Sequence, residues 1–149
     1  MEIGKEIKSK FKTPQQKAFV NLRYTSNWIL KKQNEFMSNF DLTMPQFNIL
    51  RILRGAGEGV FLSVNTIKSR MVEISPNTTR LMDKLLEKKL IDRFRCPNDK
   101  RIINIAITSE GLKVLSEIDK HFDEELTMLN KLSDKEAEVL SDILDKLRI

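Results

Sequence analysis

Ser75-Pro76-Asn77-Thr78-Thr79-Arg80-Leu81-Met82-Asp83-Lys84-Leu85 is the stretch on which the fold turns. Ser75 can cap a helix, and Pro76 suits the first helical position, where its missing N–H costs nothing. The spacing predicts a helix to about Lys89, with Leu81, Leu85, Thr78 and Met82 toward a core. Asn77, Thr79, Arg80, Lys84 and Lys88 are left outward. Upstream, Ser63 can cap a shorter helix with Val64, Ile67 and Met71 turned inward. Val72-Glu73-Ile74-Ser75 is a short link between the two. Two helices joined by a tight turn, the second with a polar, basic outer face, make a helix-turn-helix candidate.

Downstream, Leu90 to Arg95 and Arg101 to Ile107 read as strands, the second with alternating isoleucines. Cys96-Pro97-Asn98-Asp99-Lys100 between them favours a turn, so the pair reads as a hairpin with a basic tip. Upstream, Thr43-Met44-Pro45-Gln46 is a capping box with a proline in the first turn. Phe47, Leu50 and Leu53 form the apolar face of that helix, which ends near Arg54-Gly55. Val60-Phe61-Leu62 can add a short strand.

Long helices flank this unit. Residues 14–40 carry Phe19, Leu22, Ser26, Ile29, Gln33, Phe36 and Phe40 at helical steps, widened by Tyr24 and Trp28. Core packing explains that stripe better than an aromatic cofactor box. Thr108 caps a last section in which Leu112, Leu115, Ile118, Phe122, Leu126, Leu129 and Leu132 recur over about seven turns, some 35 Å. Ser133-Asp134-Lys135-Glu136 opens a final helix with Ala137, Leu140, Ile143, Leu144 and Leu147 on one face. The middle of the chain is too small to cover every stripe. Pairing with a second copy is the economical solution, ahead of a four-helix packing within one chain. The expected dimerisation residues are Phe19, Leu22, Leu126, Leu129, Leu132, Leu140, Ile143, Leu144 and Leu147.

Composition narrows the function. The chain has 149 residues, 40% hydrophobic and 32% charged, which excludes disorder and a membrane span of about 20 apolar residues. The net charge of +5 hides a division. Residues 1–40 carry +5, residues 41–107 carry +5, and residues 108–149 carry −5. A basic middle segment suits a polyanion partner, although a solvated surface is an equal explanation on charge alone. The acidic tail argues against adhesion to anionic membranes. Cys96 is the lone cysteine, so no intrachain disulfide forms, and the N-terminus lacks a signal-peptide pattern; the expectation is cytoplasmic. With one His and one Cys, a zinc site is not expected. No glycine-rich phosphate loop or catalytic constellation stands out, and no cofactor is expected.

The order of these elements resembles the MarR family of winged helix-turn-helix transcriptional regulators. The resemblance is carried by Thr79-Arg80-Leu81-Met82-Asp83-Lys84-Leu85, Leu90-Ile91-Asp92-Arg93, Pro97-Asn98-Asp99-Lys100-Arg101, Ile107-Thr108-Ser109-Glu110-Gly111 and Leu42-Thr43-Met44-Pro45-Gln46. It implies a mainly α fold with a small β-hairpin wing and long N- and C-terminal dimerisation helices. The divisions are 1–40, a helix of the dimerisation region; 41–107, the DNA-binding domain; and 108–149, the C-terminal dimerisation helices. Lys89 departs from the family, which usually has glycine there. Ile107 replaces the common leucine.

The resemblance further implies a homodimer on an inverted-repeat operator in double-stranded DNA, acting as a ligand-responsive repressor. Ser75, Pro76, Asn77, Thr79 and Arg80 would meet the major groove. Arg101 would enter the minor groove, with Asp99 orienting it or only forming the turn, while Lys68, Lys84, Lys100 and Arg70 neutralise phosphates, a structural role being the alternative for Arg70. Phosphate contact or an ion pair with Asp83 is the alternative for Arg80. A small aromatic or anionic ligand would sit against Trp28, Phe47, Arg51 and His121, although core packing accounts for the aromatics as well. The competing readings are a dimeric helical adaptor for protein partners and a small enzyme using His121 as base.

Overall fold

In the computed structural model, residues 2–73, 77–125 and 131–149 are described, the side chains of 123–125 excepted. A short N-terminal helix, α1 (Ile3–Glu6), lies against the long α2 (Pro14–Met37). Thr13 caps α2 by accepting from the Gln16 N–H, with Pro14 in the first turn. The expected helix over 14–40 tightens into a 3-10 turn at Ser38–Phe40 and stops at Asp41, which takes a left-handed φ of 53°.

Helix α3 (Met44–Ala56) opens on the expected capping box, Thr43 and Gln46 each bonding the other's backbone. Gln46, Phe47, Ile49, Leu50 and Leu53 are buried, so this helix is the centre of the molecule. It runs past Gly55 and is closed by Gly57 at φ 112°. A two-residue strand, β1 (Leu62–Ser63), sits slightly later than Val60-Phe61-Leu62. Then come α4 (Val64–Arg70), capped by Ser63, and α5 (Thr78–Glu87).

Strands β2 (Ile91–Arg95) and β3 (Ile103–Ile107) start one and two residues later than the patterns suggested. The sheet is antiparallel with order β1-β3-β2. Helix α6 (Ser109–Glu125) packs on α3. Of the rest of the expected seven-turn helix, Leu126 and Leu129 lie outside the described residues, and Leu132 is an exposed bend residue, not a helical one, just before the next helix. A capping box of Ser133 and Glu136 starts α7 (Asp134–Lys146).

One apolar cluster joins these parts. Met37, Leu50, Leu53, Ile67, Leu85, Ile91, Ile105, Leu115 and Ile118 are all buried in it. Phe36 and Phe40 reach it at the end of α2. The start of α2 does not: Phe19 is 61% exposed, and Leu22, Tyr24 and Trp28 are exposed too. The stripe expected as core is therefore core only in its last turns, where Phe36 and Phe40 join the cluster and the Phe36 ring meets Phe122 of α6. Helix α7 has no buried residue. Among the described residues no helix is long and apolar enough to cross a membrane.

Candidate nucleic-acid interface

Helices α4 and α5 are held to α3 from below. Ile67 and Met71 bury one side of α4. The Val72 N–H donates to Asn48 Oδ1 at 3.0 Å, which pins the turn after α4 to the middle of α3. Thr78, Met82 and Leu85, at steps of four and three, are buried beneath α5. The same period leaves Asn77, Thr79, Arg80 and Lys84 exposed on its outer side. The described helix begins at Thr78, after Asn77. Ser75 and Pro76 themselves lie outside the described residues.

The end of α5 is built by Lys89 at φ 59°. The Lys89 N–H donates to the Leu86 carbonyl at 2.9 Å and the Leu90 N–H to the Leu85 carbonyl at 3.0 Å. That pair of bonds is the Schellman stop that glycine usually makes. The helical period places Lys88 outward. It turns back instead, and its Nζ lies 2.8 Å from Asp41 Oδ2 and also bonds the Asp41 carbonyl. The Lys88 ammonium holds the Asp41 carboxyl below the ordinary range.

The wing stands beside α5. Its loop is closed by the Ile102 N–H donating to the Asp99 carbonyl and the Cys96 N–H to the Ile102 carbonyl. Asp99 Oδ1 accepts from the Arg101 N–H at 3.0 Å and lies 3.5 Å from Arg101 Nε. The Arg101 side chain is 95% exposed, so it projects from the tip with its base held. Lys100 beside it is exposed, as are Lys68 and Arg70 on α4. Among the described residues, Lys68, Arg70, Arg80 and Lys100 form no ion pair. Asp83 does not pair with Arg80. It takes Arg93 of β2 at 3.0 Å and so ties wing to helix.

A cleft of ≈ 390 Å³ runs between α5 and the wing. Thr79, Asp83, Arg93 and Arg101 line it, over a floor of Met82, Leu86, Ile91 and Ile105. Helix face and wing arginine thus flank one groove. Sequence reasoning missed Arg93. The signal was present, since Arg93 alternates with Ile91 and must share its face of the strand.

The four residues read as a ligand site fall in different places. The Phe47 ring is buried, 5.6 Å from the Phe122 ring, with the Arg51 guanidinium 5.8 Å from its centre. Trp28 faces a separate groove with Ile3, Glu6, Asn21, Tyr24 and Thr25. His121 is exposed on α6. Phe47 and Arg51 are together, while Trp28 belongs to the other groove. Among the described residues no cluster of His, Cys, Asp and Glu could hold a metal ion.

A buried-backed helix pair, an exposed polar face on its second member and an antiparallel hairpin define a winged helix-turn-helix protein. The sequence model of the MarR family matches residues 42–103. YpoP of Bacillus subtilis (strain 168), an HTH-type transcriptional regulator, is 31% identical over 99% of this chain and 97% of its own. The transcriptional regulator ZitR of Lactococcus lactis is 34% identical over 76% of this chain and 78% of its own. The crystal structure of S. aureus MepR in complex with DNA superposes with a TM-score of 0.76 at 28% identity, covering 93% of this chain and 97% of that one. The chain belongs to the MarR family and is a transcriptional regulator, not an enzyme.

Proposed function

We propose that this regulator binds double-stranded DNA in a sequence-specific manner, as a homodimer on an inverted-repeat operator, and acts as a ligand-responsive repressor. The observation that carries the reading is the groove flanked by Thr79 of α5 and Arg101 of the wing. Residues 41–107 form the DNA-binding unit, and residues 1–40 and 108–149 form the dimerisation region. Asn77, Thr79 and Arg80 meet the major groove, preceded by Ser75 and Pro76. Asn can pair with adenine, Arg with guanine, and Thr can touch a thymine methyl. Lys68, Lys84 and Lys100 neutralise phosphates. Arg101 enters the minor groove, where narrow width and negative potential favour arginine, and Asp99 sets its direction.

The dimer reading is supported by the apolar side chains left uncovered on α2 and α7, among them Phe19, Leu22, Leu140, Ile143 and Leu147. Leu132 and Leu144, with Leu126 and Leu129, complete the proposed surface. For a small aromatic or anionic effector the exposed Arg51 guanidinium, seated against the buried Phe47 ring, offers a cation, while Trp28 in the other groove and His121 on α6 stand apart from it within one copy.

The test is selection of bound sequences from random duplexes, followed by gel shift. The expected product is an inverted repeat with half-sites about 10 bp apart. Arg101→Ala is expected to weaken binding strongly while leaving the dimer intact. Unchanged binding removes the wing from the account, and no selected sequence removes the specificity.

A further inference from the structure

The side of the wing sheet away from α5 carries an aromatic pair. The rings of Phe61, just before β1, and Phe94, on β2, lie 4.8 Å apart at 85°, edge to face. Each is about half exposed, 47% and 48%, and neither belongs to the core cluster. Strand order β1-β3-β2 puts the two residues on opposite sides of β3. Ser63 and Phe94 both register with Asn104. Alternation then places Phe61, Ser63, Phe94, Asn104 and Ala106 on one face. Ala106 is buried, and a methyl is small enough for two rings to close over the central strand.

The location matters for Arg101. The β2–β3 ladder ends at Arg95 opposite Ile103, and the loop bearing Arg101 extends beyond that rung. Phe94 occupies the rung before the last. Strand β1 supports the ribbon over two residues only. A two-stranded ribbon twists more freely than a wider sheet. On the α5 side the ribbon is braced by Arg93 and Asp83. On the other side the ring pair is the matching brace.

We propose that Phe61 and Phe94 are positioning residues for DNA binding: their edge-to-face contact clasps the outer strands across β3 and sets the pitch at which the wing presents Arg101. The inference rests on the DNA-binding reading above. If the clasp is lost, the wing spends part of its time outside the binding pose. Apparent affinity falls by the fraction of competent wings, once for each wing of the dimer, so the loss cannot exceed twice what one pair is worth. For an aromatic pair that is roughly 2- to 12-fold per wing, or about 5- to 150-fold for the dimer.

The experiment measures the affinity of the full-length protein for the selected duplex. Phe94→Ala and Phe61→Ala are each expected to weaken binding within that range. Phe94→Leu keeps apolar cover but removes the ring edge; it is expected to weaken binding with the helical content and mass of the wild type, and Phe94→Tyr to restore it. The deciding arm is the Arg101→Ala background. There Phe94→Ala is expected to cost clearly less than in the wild type, because the clasp acts chiefly through Arg101, leaving Lys100 at the wing tip. If Arg101→Ala weakens binding but Phe94→Leu binds like wild type, the clasp is wrong while the DNA-binding reading stands. The same holds if Phe94→Ala and Arg101→Ala losses simply multiply. A wild-type protein indifferent to every duplex overturns both.

Discussion

Lys89 pays a backbone cost for its side chain. At φ 59° an L-residue crowds its Cβ against the carbonyl, which glycine avoids. Lys89→Gly is therefore expected to stabilise the fold by about 1 kcal/mol, read from chemical denaturation. A loss of stability would mean that the lysine side chain does more than tolerate its conformation. Asp41 is the other left-handed residue beside α5, and Lys88 closes on it. Its folded-state pKa lies below its ordinary value, so its contribution is present above about pH 3.9 and is lost as pH falls through the lowered value. Lys88→Ala is expected to raise the Asp41 titration midpoint, followed by carboxyl NMR. An unmoved midpoint removes the pairing.

At the scale of elements, the N-terminus of α6 is seated on the strand entry to the wing. The Thr108 hydroxyl accepts from the Gly111 N–H at 3.1 Å and donates to the Lys89 carbonyl at 2.8 Å. A Cβ on Gly111 would overlap the Leu90 carbonyl oxygen and come within 2.7 Å of Ile107 Cγ1. This is the reason for glycine there: helix and strand meet backbone to side chain with no room between. Gly111→Ala is expected to cost about 1–3 kcal/mol, since neither the carbonyl nor the isoleucine is a free side-chain end. Thermal melting checks it, and a neutral outcome would show that α6 can shift without penalty. One bond network thus links the end of α5, the start of β2 and the start of α6.

At the scale of the molecule, the packing is lopsided. The middle unit is well buried, while the start of α2 and the whole of α7 keep their apolar stripes exposed, Ile143 at 53%. The acidic C-terminal third and the basic N-terminal segment carry opposite net charges, which suits contact between copies. Ile143→Glu is expected to weaken self-association by roughly 100-fold, because a carboxylate in an apolar interface is left without a partner. Sedimentation equilibrium reads the mass; a wild-type mass in the variant would place the contact elsewhere. Binding to the selected duplex is expected to fall steeply with salt, about 10³- to 10⁵-fold between 50 and 200 mM if some 6–10 phosphates are neutralised. A flat salt response would argue against phosphate contacts by Lys68, Lys84 and Lys100.

The starts of α2, α3, α4 and α7 were legible because caps and first-turn prolines act within a few residues of chain. The inner and outer faces of α5 were legible because helical period is also local. The wing was legible from alternation and a turn-forming loop, and its tip residues Asp99 and Arg101 from the family resemblance. Charge partners were decided only by the tertiary structure. Asp83 has Arg80 nearby in sequence but Arg93 nearby in space, and Lys88 finds Asp41 across 47 positions. The same holds for the left-handed Lys89, which the network around Thr108 supports, and for the rings of Phe61 and Phe94, which meet over a third strand. Sequence pattern reports which side of its own element a residue occupies. What stands opposite that side depends on the path of the whole chain.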